Sequence, residues 1–214
     1  MPSRENIIKT LEQARQGEKR KFVQSVDLAV AFKGLDMTKT ENRINEEVVL
    51  PHGIGRQQKV AFFAGGELAR KARDAGADAV FAREDLEALQ KDRKQMKKVA
   101  DSYDSFVSQA DLMSLIGKAL GPALGPRGKM PKPVSPTADP KPLLERYRKI
   151  VRLRMRDQPV VSVQVGVESM TNEQLADNIQ AALNVLEHKF EEAFRRVGSI
   201  TVKTTMGKPV KIEV

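Results

Sequence analysis

Apolar residues near the start of the chain fall on one helical face. Ile7, Ile8, Leu11 and Ala14 recur three or four apart, Ser3 precedes them as an N-cap, and Gly17 is placed to end the helix. After a charged connector at 18–21 the period changes to two. Over 23–32, Val26, Leu28, Val30 and Phe32 alternate with Ser25, Asp27, Ala29 and Ala31, which predicts a strand with one core face and one small, polar face outside the core. A loop over 34–45 leads to a second strand at 46–50, and Pro51-His52-Gly53-Ile54-Gly55 interrupts the chain. Short apolar runs at 60–64, 77–81 and 105–108 then alternate with helical stretches at 67–75, 84–100 and 111–119. That alternation predicts a small parallel sheet covered by helices.

Residues 117–133, GKALGPALGPRGKMPKP, break the rhythm. Four glycines and four prolines in seventeen residues predict a fixed loop path in place of a regular helix or strand through most of the run. A helix is expected at 139–149. In the strand that follows, Val151, Leu153 and Met155 alternate with Arg152, Arg154 and Arg156. Asp157-Gln158 turns the chain into a returning strand carrying Val161, Val163, Val165 and Val167. Thr171 and Gln174 fit a capping box opening a long helix with Leu175, Ile179, Ala182, Leu183, Leu186 and Phe190 on its apolar face. The last hairpin directs Ile200 and Val202 inward and Ser199, Thr201, Lys203 and Thr205 outward. It turns at Met206-Gly207 and returns through Val210, Ile212 and Val214.

Hairpin-rich ends flank a βα middle. The fold class expected is therefore α/β with α+β in two domains: a discontinuous α+β domain from 1–53 and 151–214, and an inserted Rossmann-like α/β domain at 54–150. The 214 residues are enough to bury such cores. A net charge of +9 points to a polyanionic partner, nucleic acid or an acidic membrane surface. The absence of cysteine excludes disulfides and thiolate metal sites and fits a reducing compartment. No signal peptide opens the chain, and no apolar run reaches the roughly 20 residues of a membrane span. Without tryptophan, and at 5% aromatic residues, the chain is ill-suited to gripping single strands mainly by stacking.

Enzyme chemistry finds little support. A phosphate-cradling loop needs G-x-x-x-x-G-K-[ST], but Gly128-Lys129 is followed by Met130 and Ala123 stands where the first glycine should be. Gly53-Ile54-Gly55 precedes a strand, and Gln58 occupies the third glycine position of a dinucleotide loop. His52 and His188 lie in unrelated contexts, and His52 reads as a residue that locks the backbone. Glu46-Glu47, Glu191-Glu192 and the charged stretch at 84–98 read as solvated charges. RNA chemistry fares better. Arg152, Arg154 and Arg156 share a strand face, and could either engage phosphates or protect an exposed edge. The hydroxyl-bearing face of Ser199, Thr201, Lys203 and Thr205 could meet the 2′-hydroxyls and phosphates of A-form RNA, or be a plain threonine-rich strand.

The run LGPALGPRGKMP, with KF at 21–22, LPHG at 50–53, LADNI at 175–179 and TTMG at 204–207, resembles the family of large ribosomal subunit protein one over nearly the whole chain. The short N-terminus is similar to the archaeal branch. The resemblance implies a two-domain architecture and an rRNA grip by Lys21, Phe22, Ser25, Asp27, Ser199, Thr205, Met206 and Gly207, with Thr201, Lys203 and Thr204 in the same segment. Asp27 stands where many relatives carry glutamate. Phe22 shares the core parity of Val26, so RNA can reach its ring only if the strand begins after it. The signature positions Gly121, Pro122, Gly125, Pro126, Arg127, Gly128 and Pro131 carry no assigned RNA contact. The implied partners are the rRNA of the mobile stalk, exit-site tRNA and the protein's own mRNA. The expected protein is monomeric outside a cytoplasmic ribosome, with no cofactor and with magnesium belonging to the RNA. Two rivals remain: a nucleotide-using enzyme built on the middle domain, and a basic protein-interaction module.

Overall fold

In the computed structural model, which describes residues 2–16, 20–190 and 194–213, the chain opens on the helix that its N-cap predicts. The Ser3 hydroxyl accepts from the Asn6 backbone, and α1 (Arg4–Arg15) buries Ile7, Leu11 and Ala14. Its expected stop, Gly17, lies outside the described residues. Strand β1 (Ser25–Phe32) alternates as expected, with Val26, Leu28, Val30 and Phe32 buried, and β2 (Ile44–Val49) follows.

The chain then builds a second unit. Strands β3 (Val60–Phe63), β4 (Ala79–Phe81), β5 (Ser105–Gln109) and β6 (Lys132–Val134) form a parallel sheet in the order β4-β3-β5-β6. Helix α2 (Gly66–Asp74) packs Leu68 and Ala69 against Ala64 and Val80. Helices α3 (Arg83–Lys91), α4 (Arg93–Ser102), α5 (Met113–Ala119) and α6 (Gly121–Arg127) contribute to the larger core around Phe63 and Phe106, whose rings stack at 5.6 Å. Every residue of β3 is buried, as expected for a central parallel strand covered on both faces. Helix α7 (Pro140–Tyr147), capped by Asp139, ends the unit.

Strands β7 (Ile150–Met155) and β8 (Val160–Val167) bring the chain back, and α8 (Asn172–Lys189) starts at the predicted Thr171/Gln174 capping box. Strands β9 (Val197–Thr204) and β10 (Val210–Ile212) form the closing hairpin, with Val214 outside the described residues. Here the principal sheet is antiparallel, ordered β10-β9-β1-β8, and α1 and α8 cover its apolar face. Packing divides the chain into two compact units, Met1–Arg56 with Lys149–Val214, and Gln57–Arg148.

Three expectations need correction. The helix expected at 84–100 is two helices, because Asp92 leaves the helical region and its carboxylate accepts from the Lys94 and Gln95 backbones, capping α4. The Gly/Pro run contains a helix. Pro122 sits in the first turn of α6, where no donor is needed, and Gly128 at φ +70° closes the other end while Lys129 N–H reaches the Leu124 carbonyl. Finally, the returning strand does not pair with the one before it. Strand β7 pairs with β2 in a separate two-stranded sheet, and β8 pairs with β1.

Candidate nucleic-acid interface

Antiparallel pairing of β1 with β9 brings residues almost two hundred positions apart into contact. At the end of this pair, Ser25 N–H donates to Thr205 Oγ1 at 3.0 Å, the two hydroxyls lie 3.0 Å apart, and Thr205 N–H donates to the Ser25 carbonyl at 3.1 Å. Beside them Met206 N–H donates to Gln24 Oε1 at 3.0 Å. The turn after β9 is thus clipped to the start of β1 through backbone and short hydroxyls. One wall of the cluster comes from each end of the chain.

Two exposed apolar side chains adjoin the clip in sequence, Met206 next to Thr205 and Phe22 three residues before Ser25. Phe22 is 52% exposed and Met206 59% exposed, and Phe22 is the one aromatic among the large exposed apolar residues described. Because β1 begins at Ser25, Phe22 escapes the parity that would have buried it. Val23 is exposed as well, and Lys21 lies open beside Phe22. Exposed side chains of this kind can cover a ribose or base face while neighbouring hydroxyls hydrogen-bond.

The sheet's outer face continues from this cluster. Register places Asp27 opposite Lys203 on β9 and Gln164 on β8. Ala29 lies opposite Thr201 and Ser162, and Thr201 faces Lys211 across the closing hairpin. Ser199 pairs with Ala31 further along. A depression of about 370 Å³ lies over Asp27, Ala29, Ser162, Gln164, Thr201 and Lys203. Small side chains keep this surface low, and its donors and acceptors suit a 2′-hydroxyl or phosphate. Burial pushes the Asp27 carboxyl above its ordinary pKa, against the Ser25 hydrogen bond and the charge of Lys203. Ser162, Gln164 and Lys211 were missed from the sequence. The valine alternation of β8 marked the first two as outward, but nothing local said which strand lay beside them.

Some expected contacts are elsewhere. Thr204 is only 3% exposed, because it shares the inward parity of Ile200 and Val202. Its role is local: a Cβ on Gly207 would sit 2.2 Å from Thr204 Oγ1, so the glycine is required by the turn itself. Arg152, Arg154 and Arg156 do not join this sheet. Arg152, half-buried on β7, donates to Glu47 Oε1 at 3.0 Å across its own two-stranded sheet. Two signature cations act internally in the second unit. Arg127 binds Asp101 at 2.9 Å, and Lys129 Nζ donates to the Ala100 and Tyr103 carbonyls at the end of α4. The signature prolines Pro122 and Pro126 are exposed on α6, the glycine before each, Gly121 and Gly125, is half-exposed, and Pro131 is buried beyond the helix end.

His52 donates its backbone N–H to Asn178 Oδ1 at 3.1 Å and sets its ring 3.1 Å from Asp177 Oδ2. The hydrogen bond from His52, followed by that from Arg4, holds the Asp177 carboxyl below its usual range. The fully buried Asn178 amide donates to the Gly53 and Val165 carbonyls at 2.8 Å each. These bonds fix the path of the chain at 52–53. Among the described residues no His, Asp and Glu side chains gather into a group able to hold a metal ion, and no helix is long and apolar enough to cross a membrane.

Comparison with known proteins matches the sequence to a family. The profile described as "Ribosomal protein L1p/L10e family" matches residues 12–208. Among curated relatives, the large ribosomal subunit protein uL1 of Methanothermobacter thermautotrophicus is 46% identical over 209 residues, covering 97% of this chain and 99% of that protein. Its namesake from Archaeoglobus fulgidus is 44% identical over 210 residues, 98% of each chain. That of Methanothermococcus thermolithotrophicus is 47% identical over 211 residues, 98% and 99% of the two chains. The motifs, the two-unit α/β fold and full-length identity at this level agree: this chain belongs to the ribosomal protein L1p/L10e family.

Proposed function

We propose that this chain is a structural constituent of the large ribosomal subunit in the cytoplasm, where the unit made from both chain ends clamps the rRNA of the mobile stalk beside the tRNA exit site. The observation that carries this reading is the clip between Ser25 and Thr205, which sets Met206 at the end of an open hydroxyl-bearing sheet face, with the exposed Phe22 three residues before Ser25. Ser25, Asp27, Thr201, Lys203, Thr205 and Met206, with Ser162 and Gln164 added from β8, contact ribose and phosphate there, and Ser199 extends the contact. Lys21 supplies charge. Gly207 keeps the turn tight so that Met206 projects.

Family membership supports the rest. Motion of the stalk assists release of deacylated tRNA. The same surface represses translation by binding a stalk-like element in the protein's own mRNA. No cofactor is needed, since recognition is by shape, 2′-hydroxyls and charge. The free protein is monomeric. A nuclease-protection footprint of the full chain on large-subunit rRNA tests the reading. One protected stem region is expected, with affinity falling roughly a thousandfold between about 50 and about 200 mM salt if about six phosphates are neutralised. Absence of a defined footprint from natively folded protein overturns it.

A further inference from the structure

Helix α4 carries charge that the fold itself does not use. Arg93, Lys94, Lys97 and Lys98 are all exposed, while Met96 and Ala100 hold the helix to the core. Among the described residues none of the four has an ion-pair partner. The helix's own carboxylates are engaged elsewhere: Asp92 caps the backbone, and Asp101 binds Arg127. The four cations also oppose one another. Arg93 faces Lys97 one turn on, and Lys94 faces both Lys97 and Lys98, so like charges sit at three- and four-residue spacing. Arg93 and Lys94 further occupy the first turn, with no acidic residue, where the helix dipole disfavours cations. By contrast α2 offsets its basic residues with Glu67 and Asp74, and Glu67 pairs with Lys71 at 2.8 Å.

A self-repelling cationic face is a cost in the free protein that a polyanion would relieve. We infer that the exposed face of α4 is a second, sequence-independent contact for the phosphodiester backbone of the large-subunit rRNA. The inference rests on the reading of the chain as an rRNA-binding protein. RNA is the complementary occupant because four cations within six residues match closely spaced phosphates, and the face offers no exposed apolar anchor for a protein partner. Tethering to the unit that carries the Ser25–Thr205 clip supplies α4 at high effective concentration to the same RNA.

The test uses the full chain and purified large-subunit rRNA. Affinity is measured against salt for the wild type, for R93Q/K94Q/K97Q/K98Q, and for a control, R70Q/R73Q/K141Q/R146Q, that removes the same charge from α2 and α7. The α4 variant is expected to show a log-affinity against log-salt slope shallower by about 2–3, at about 0.9 for each phosphate no longer neutralised. The control slope should change by less than about 1, as expected where the same phosphates stay neutralised. Thermal melting of the free α4 variant is expected at or above the wild-type temperature, because repulsion has been removed. If wild-type and α4-variant slopes coincide, or the control falls as far as the α4 variant, the inference is overturned while the proposed function stands. If the wild type fails to bind rRNA, both fall together.

Discussion

Single residues at the clip have distinguishable tasks. Met206 projects from a turn held by backbone bonds, so Met206→Ala removes a contact surface without disturbing the fold. Affinity for rRNA is expected to fall by roughly 1–3 kcal/mol, the range of a central desolvated contact, and an unchanged dissociation constant would remove Met206 from the interface. Asp27 has the opposite balance. Its folded pKa is raised by burial, so the native state holds the proton more tightly than the unfolded chain does. Its contribution therefore turns unfavourable as pH rises from the unfolded toward the folded pKa. Asp27→Asn is expected to melt higher than wild type at neutral pH, the difference vanishing in acid. Equal melting at both pH values would show that Asp27 is not desolvated. Glycines divide in the same way. Beyond its chain neighbours and its own helix backbone, nothing lies within 4 Å of a Cβ built at Gly117, which sits inside α5 without positive φ, so Gly117→Ala should stabilise the free protein by about 0.5–1 kcal/mol in urea unfolding. A loss of stability would mean that the helix packing is misread. Gly125 differs, because it precedes Pro126, whose ring opposes a Cβ on the helical residue before it. The inward position of Thr204 was legible from the parity of Val202 alone. The motif pointed to it as a contact and the period-two pattern pointed it inward, and the pattern prevailed.

At the scale of elements, periodicity located most helices and strands, while side-chain chemistry decided where they stopped. Nothing in hydrophobic spacing separates α3 from α4. The break belongs to Asp92, whose carboxylate satisfies two backbone donors only if the chain leaves the helix there. Asp92→Ala is expected to cost about 1 kcal/mol of stability, the usual loss for an N-cap. In the Gly/Pro run composition misled, because proline opposes a helix by position: Pro122 stands where the first turn tolerates it, and Pro126, although inside the helix, is one residue from its end at Arg127. Strand partners were the least legible. The turn at Asp157-Gln158 predicted a hairpin, yet β7 takes β2 and β8 takes β1, long-range pairings that no local spacing reports. Asn178 shows the same limit. It sits on the predicted apolar helix, yet it is fully buried and bridges the Gly53 and Val165 carbonyls. Asn178→Leu is expected to destabilise by about 2–4 kcal/mol through the two abandoned carbonyls and the His52 N–H that loses its acceptor, measurable by denaturant unfolding.

The molecule as a whole depends on its ends meeting. Residues 22–27 and 199–207 carry unremarkable sequence taken separately, a strand start and a threonine-rich hairpin. Only the β1–β9 register turns them into one surface. The other aromatics are buried or half-buried, which leaves Phe22 as the exposed ring, in keeping with recognition through ribose and phosphate more than through stacking. Because the chain has no cysteine, one can be introduced alone at either end. The most direct measurement attaches a photo-crosslinker to Lys21→Cys and, separately, to Met206→Cys, and maps both crosslinks on large-subunit rRNA. Both ends are predicted to crosslink to the same short stem, within a few nucleotides of each other. Crosslinks to separate regions, or none from a folded protein that still protects the RNA from nuclease, would contradict a single surface built from both ends.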